Sequence, residues 1–116
     1  MSRLLVFAVL AGMLGGCVHT RDPLYSWGDY EDVVYGSYAS PDKFPPQAQV
    51  GILEQNYQEA RADNRRMPPG WHAHLGYLYF QLGKMDQARQ ELMTEKAQFP
   101  ESAVLMDRLL VNLKKK

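Results

Sequence analysis

Prolines and glycines divide this sequence into segments of helical length. The breaks fall at Pro45-Pro46, at Met67-Pro68-Pro69-Gly70, at Gly83 and at Pro100. Proline is tolerated in the first turn of a helix but not in its interior, and glycine readily adopts the left-handed conformation that ends a helix. The chain is therefore expected to fold as a series of short helices joined by short connections.

Within these segments, apolar residues recur three or four positions apart, which is the period of one helix face. Helices are predicted over residues 46–64, 69–82, 85–98 and 102–113. The predicted core residues are Val50, Leu53, Tyr57, Ala60, Leu75, Leu78, Tyr79, Leu82, Ala88, Leu92, Phe99, Met106, Leu109, Leu110 and Leu113. No segment shows the period-two alternation of a strand. The predicted fold class is all-α.

A shorter helix is predicted over residues 29–38, before the first proline break. Asp29 is the expected cap, and Tyr30, Val34 and Tyr38 would share one face of this helix. The β-branched pair Val33-Val34 weakens its helical propensity.

Composition excludes several classes of protein. The chain has 116 residues, enough for one small domain. Its 13 Lys and Arg residues balance 13 Asp and Glu residues, so it has no general field that attracts nucleic acid. Its single cysteine, Cys17, excludes an intramolecular disulfide and a four-thiolate metal site.

The N-terminus has the layout of a secretory signal. Arg3 precedes an apolar run from Leu4 to Leu14, and Gly15-Gly16-Cys17 follows. The run is shorter than the roughly 20 residues that span a bilayer. A buried N-terminal helix is the alternative, but it does not explain why the only cysteine directly follows small residues.

Leu14-Gly15-Gly16-Cys17 resembles a bacterial lipobox. In that class of signal the cysteine is lipidated and becomes the first residue of the mature protein. The resemblance implies removal of residues 1–16, acylation of Cys17 and, because Val18 rather than Asp follows, delivery to the outer membrane. Two or three acyl chains attach a protein permanently, whereas a single chain binds weakly. We expect a periplasm-facing protein with a tether over residues 17–44, including the aromatic segment and short helix, and a helical domain over residues 45–116.

Residues 69–102 combine small and apolar residues in the spacing of a helical hairpin. The set is Leu75, Gly76, Tyr79, Ala88, Leu92 and Pro100. It resembles the tetratricopeptide repeat, a helix–turn–helix unit. His72 occupies the family's Trp position, and Glu95 occupies an Ala position, where it is expected to loosen contact with the next helix. An ordinary helical hairpin is the alternative, and the preceding segment does not repeat the pattern.

Three stretches, residues 24–30, 68–76 and 99–110, span most of the chain that follows Cys17. They resemble a family of small bacterial lipoproteins catalogued only as a domain of unknown function. Genes of that family lie beside those of lipoproteins similar to the curli export pore. The resemblance implies an envelope assembly partner rather than an enzyme, and it supplies no catalytic residues.

The repeat resemblance also implies a binding groove, because the inner groove of such repeats is lined mainly by the first helix. The expected groove residues are Ala73, Tyr77, Phe80, Gln81 and, from the next helix, Asp107. Tyr77 and Phe80 lie off the core stripe of their helix, which fits an interface. Alternatively, both rings pack beneath the N-terminal aromatic segment.

The N-terminal aromatic residues leave two interpretations open. The series is Tyr25, Trp27, Tyr30, Tyr35 and Tyr38. These rings form a platform for sugar or peptide, or they fold back as a lid on the helical core. The platform is the basis of a second candidate function, a peptidoglycan- or glycan-associated lipoprotein.

No motif predicts catalysis, a metal or a cofactor. His72 and His74 are two residues apart, about 200° around a helix, so they are not expected to chelate one ion. The chain has no Gly-rich phosphate loop and no evident small-molecule site. The leading hypothesis is a non-enzymatic adaptor or assembly factor that binds an envelope protein.

Overall fold

The computed structural model describes residues 21–115, so the predicted signal peptide and Cys17 lie outside the described residues. This part of the chain contains five α-helices: α1 (Tyr30–Ala39), α2 (Pro46–Ala62), α3 (Trp71–Gln81), α4 (Met85–Gln98) and α5 (Ala103–Lys114). A short 3-10 turn, Pro100–Ser102, precedes α5. Residues 21–115 form no strand, only one parallel β-bridge between Tyr25 and Arg66. The predicted all-α class is confirmed.

The predicted breaks coincide with helix ends. Pro46 is the first residue of α2, and Gly70 and Gly83 flank α3 with φ angles of +89° and +75°. The helix predicted over residues 85–98 has those bounds. The α2 helix ends before Asn64, which adopts a φ of +53° and closes the C-terminal turn. None of the helices among the described residues is long and apolar enough to cross a membrane.

The core forms where α2 and α5 pack against the hairpin of α3 and α4. Its buried members are Val33, Val50, Leu53, Ala60, Met67, Trp71, Leu75, Leu78, Tyr79, Ala88, Leu92, Met106 and Leu113. Most were expected from helical periodicity. Val33, Met67 and Trp71 were not. Met67 and Trp71 lie next to the Pro68-Pro69-Gly70 break, where no period can be read.

The buried face of α1 differs from the prediction. Val33 and Gly36 are buried, whereas Tyr35 and Tyr38 are 75% and 85% exposed. Gly36 lies so close to the ring of Phe44 that a Cβ atom there would be only 2.5 Å from it. Of the predicted face, Tyr30 packs against the core and Val34 is partly buried, but Tyr38 points to solvent, so the prediction is only partly correct. The close contact between Gly36 and Phe44 is not visible in the helical period.

Asp29 occupies the N-cap position of α1, but its carboxylate does not cap the helix and instead binds Asn56 of α2. Its backbone N–H donates to Oδ1 of Asn56 at 2.9 Å, and its carboxylate accepts from Nδ2 of Asn56 at 2.8 Å. Asn56 is a buried residue of α2. This two-way pair satisfies a buried amide and attaches the start of α1 to α2.

The α3 and α4 helices approach most closely at Gly76. A Cβ atom on Gly76 would lie 3.2 Å from the carbonyl oxygen of Ala88 and 3.2 Å from the side chain of Leu92. Ala88 is fully buried on the facing helix. A mid-helix glycine costs roughly 1 kcal/mol relative to alanine, so the close approach explains why this position lacks a side chain.

We predict that Gly76→Leu lowers the free energy of unfolding by about 3 kcal/mol, because the added side chain would displace the α4 backbone. The matched control is Gly51→Leu, since Gly51 is exposed in α2 with no atom within 4 Å of a Cβ. That variant should be neutral or more stable by up to about 1 kcal/mol. Urea denaturation measures both, and equal stabilities would contradict the close helix contact.

Candidate partner-binding groove

A narrow apolar groove lies where α3 meets α4 and α5. Its volume is about 170 Å3. The lining residues are Gly76, Tyr77, Phe80, Leu92, Leu109, Asn112 and Leu113. Within this set only Tyr77 and Asn112 bring polar side-chain atoms, so the groove suits an apolar group.

Tyr77 is the most accessible aromatic residue of the groove. Its ring is 52% exposed, and its hydroxyl accepts a hydrogen bond from Nε2 of Gln81 at 3.2 Å. The bond joins residues one helical turn apart and restrains the ring. Phe80 is only partly exposed and packs against the core. Tyr77 therefore presents a contact surface, whereas Phe80 also contributes to folding.

The structure brings together only part of the expected groove set. Tyr77 and Phe80 line the groove, and Gln81 lies beside Tyr77. Gln81 and Tyr77 also line a neighbouring recess of about 340 Å3 next to α1. Ala73 packs against the core and does not line the groove.

Asp107 lies apart from Tyr77 and Phe80. Its carboxylate accepts a hydrogen bond from Nζ of Lys96 at 2.7 Å, and both side chains are largely exposed. Asp107 lines a separate recess between α4 and α5, with Met93 and Val111 nearby. An exposed ion pair of this kind contributes little to stability.

Sequence reasoning assigned the wrong α5 residue, Asp107, to the groove. Leu109, Asn112 and Leu113 form one wall, and two of them were predicted only as core residues. These two leucines belong to both the core and the groove: Leu113 is buried and Leu109 is partly buried, and both line the groove. The signal was the amphipathic pattern of α5, which indicates a contact but not which helix it contacts.

Tyr25 and Trp27 of the N-terminal aromatic series have ring partners other than Tyr77 and Phe80. The ring of Tyr25 lies edge-on to Phe99 with a centroid distance of 6.0 Å, and Trp27 stacks on Tyr30 at 6.3 Å. Tyr30 in turn lies edge-on to His74 of α3 at 6.0 Å. These ring contacts and the 52% exposure of Tyr77 do not support the alternative in which Tyr77 packs beneath Tyr25 and Trp27.

From Leu24 onward, the segment predicted as a tether belongs to the folded domain. The N–H of Ser26 donates to the carbonyl of Arg66 at 2.8 Å, next to the bridge formed by Tyr25. Trp27, Tyr30 and α1 follow directly. Residues 25–39 thus pack on the helical domain.

Glu95 contradicts the expectation that it loosens helix packing. It is 2% exposed, and its carboxylate accepts hydrogen bonds from the backbone N–H groups of Gly70 at 2.6 Å and Ala73 at 3.3 Å. These are among the first amides of α3, which have no partner within the helix. A negative charge is also favourable at this end of the helix dipole. Glu95 thus joins α4 to the start of α3.

His72 and His74 have separate partners. Nδ1 of buried His72 donates to Glu91 at 2.6 Å, and Nε2 of His74 lies 3.1 Å from Oε1 of Gln49. Burial lowers the pKa of His74. Burial raises the pKa of Tyr30, with a smaller contribution from the charge of Glu95. No group of three or more potential metal ligands occurs in the described part of the chain.

A second, polar recess of about 450 Å3 lies between α2, α3 and α4. It contains Glu54 and Glu91, but both carboxylates have partners: Tyr79 donates to Glu54, and His72 donates to Glu91. Burial and the hydrogen bond to Glu54 raise the pKa of Tyr79. Both hydrogen bonds join a neighbouring helix to α3, so these carboxylates contribute to helix packing.

The folded part is therefore an all-α domain with an apolar groove formed by three helices. The chain matches a family described as a domain of unknown function (DUF4810) over residues 24–109, and it belongs to that family. The match begins where the chain joins the fold and ends within α5. No curated protein and no solved structure was found to match.

We predict that His74 makes the domain less stable in mild acid. Because burial lowers its pKa below the ordinary value of 6.5, the unfolded chain binds the proton more readily than the folded chain. Stability should fall as the pH drops through about 6.5. Thermal melts of wild type and His74→Gln from about pH 7.5 to 5.5 test this. The melting temperature of the variant should fall less over this range than that of wild type. Parallel curves would show that His74 makes no contribution.

Proposed function

We propose that this protein is an outer-membrane lipoprotein that faces the periplasm and acts as an adaptor or assembly factor for another envelope protein. The lipobox-like sequence Leu14-Gly15-Gly16-Cys17 supports the anchor. The groove beside Tyr77 supports the adaptor role. Neither feature involves a catalytic group, so the proposed activity is binding.

The dimensions and chemistry of the groove carry this proposal. Small-molecule sites commonly enclose about 300–1,000 Å3, whereas this groove has a volume of about 170 Å3. A cavity of roughly 150 Å3 accommodates a benzene ring. The groove therefore fits one leucine or aromatic side chain from a protein partner, the usual form of an interface anchor.

The packing of the helices supports a tetratricopeptide-like unit. Gly76 lies against Ala88 in the α3–α4 hairpin, and α2 and α5 cover its two sides. A single repeat cannot bury its own core, so such flanking helices are required. Repeats of this type bind segments of other proteins. A lipoprotein similar to the curli export pore is the proposed partner, on the basis of the family resemblance.

The alternative, a peptidoglycan- or glycan-associated lipoprotein, has less support. A sugar platform needs accessible ring faces, but Tyr25 packs against Phe99 and Trp27 stacks on Tyr30. Tyr35 and Tyr38 are exposed on α1, so their ring faces are accessible. The alternative therefore rests mainly on two of the five aromatic residues of the series.

We predict that Cys17→Ser prevents lipidation and signal removal. The thiol forms the thioether to the lipid, and serine cannot replace it. The variant should retain residues 1–16 and fail to incorporate a fatty-acid analogue, as measured by mass and by labelling of the membrane fraction. Labelling that persists in the variant would refute the anchor without affecting the groove.

We predict that Tyr77→Ala weakens partner binding about thirtyfold, because aromatic anchors commonly contribute 2 kcal/mol or more. The melting temperature should change little, since the ring is half-exposed. Tyr35→Ala is the matched control: it removes an exposed tyrosine on α1, away from the groove. Crosslinked co-purification with a curli-export-pore-like lipoprotein measures binding.

Equal co-purification by Tyr77→Ala and Tyr35→Ala would exclude the groove as the binding site. Phe80→Ala is a poorer test, because Phe80 packs against the core. Its truncation would lower the free energy of unfolding and confuse lost binding with lost folding.

A further inference from the structure

The chain joins the folded domain at one defined end of the helical bundle. Tyr25 bridges Arg66, and Ser26 donates to the carbonyl of Arg66. The Tyr25 ring packs on Phe99, which directly follows α4. We call this region the loop end, and it comprises residues 63–70 between α2 and α3 together with Phe99.

The predicted lipid attachment site is close to the loop end along the chain. Cys17 precedes Tyr25 by eight residues. Fully extended, eight residues span at most about 29 Å, and a flexible chain of that length has a typical end-to-end distance of roughly 16 Å. Acylation of Cys17 would therefore hold the loop end at a high effective concentration beside the membrane surface.

The loop end has the chemistry of a surface that contacts anionic lipid. Arg65 and Arg66 belong to it, and Arg61 is one turn earlier in α2. Arg21 lies in the segment that leads from Cys17. The exposed acidic residues nearby are Asp22, Asp63 and, two residues after Phe99, Glu101, and the buried carboxylate of Glu95 binds Gly70. All four arginines are exposed, so their guanidinium groups can reach lipid phosphate.

An exposed apolar side chain accompanies these arginines. Leu24 is 73% exposed. Leu24 directly precedes Tyr25, the bridge partner of Arg66, so it belongs to the same part of the surface as the loop end. A leucine on the same surface as arginines suits the headgroup region, where the apolar group enters the lipid and the cations bind phosphate.

The groove lies farther along α3 from this end. Tyr77 and Phe80 are six and nine residues beyond Trp71, the first residue of α3, which corresponds to roughly 9–14 Å along the helix axis. We propose that the loop end, through Arg21, Leu24 and Arg65, rests on anionic headgroups of the membrane. This orientation directs the groove away from the bilayer, and it depends on the lipid anchor proposed above.

Two alanines at opposite ends of α2 provide matched reporter positions. Ala62 lies next to the loop end and Ala48 lies in the first turn, and both are exposed. They are roughly 21 Å apart along the helix. Since the thiol of Cys17 is consumed by acylation, a fluorophore on Ala62→Cys or Ala48→Cys labels one site.

The experiment places the mature lipidated protein in phosphatidylcholine vesicles with and without phosphatidylglycerol. A nitroxide on the lipid headgroup quenches fluorophores near the surface. The Ala62 label should be quenched several times more strongly than the Ala48 label, and the difference should shrink without phosphatidylglycerol. Equal quenching at the two positions would overturn the proposed orientation.

Charge reversal tests the role of the arginines. Each basic side chain near an anionic surface changes the docking equilibrium constant by about fivefold, so Arg21→Glu with Arg65→Glu should bring Ala62 quenching close to the Ala48 level. Arg89→Glu with Lys114→Glu changes the net charge equally but lies beside the α4–α5 recess, and it should have no such effect. Equal effects of both pairs would overturn the proposed contact. Failure of the protein to remain in vesicles would overturn the anchor itself, and this proposal with it.

Discussion

The contact between α3 and α4 determines the arrangement of the other helices. At its centre, Gly76 lets the two backbones approach until a Cβ atom there would lie 3.2 Å from the carbonyl oxygen of Ala88. At one end, the buried carboxylate of Glu95 binds the first amides of α3. A hydrogen bond to a charged group contributes about 1.5–3 kcal/mol, and an unpaired buried carboxylate would be strongly destabilising. Close packing and the buried carboxylate thus hold the same pair of helices in register.

The flanking helices complete this pair in different ways. The α2 helix covers one side with Val50, Leu53 and Ala60. The α5 helix covers the other side less completely: Met106 and Leu113 are buried, whereas Leu109 is only partly buried. The incomplete cover produces the groove beside Tyr77. Gly76 both lines this groove and lies in the close contact between α3 and α4, so a longer side chain there would disrupt the packing.

The N-terminal segment determines which end of the helical bundle lies nearest to the predicted lipid anchor. Tyr25 and Ser26 attach the chain to the loop end, and Asp29 and Asn56 attach the start of α1 to α2. These contacts use backbone hydrogen bonds and a two-way side-chain pair rather than a large apolar interface. As a result, the point nearest to the predicted anchor is at one end of the bundle, and the groove lies away from it.

The sequence alone determined the helices and most of the core, because Pro46, Gly83 and Pro100 act locally on the backbone and helical periodicity shows which face is apolar. It also indicated the close contact at Gly76. Only the tertiary structure decided that Glu95 is buried, since its role depends on free amides 22 and 25 positions earlier in the chain. The same holds for the separation of Asp107 from the groove. Local patterns specify a helix and its apolar face, whereas the partner of each polar side chain depends on how distant helices pack.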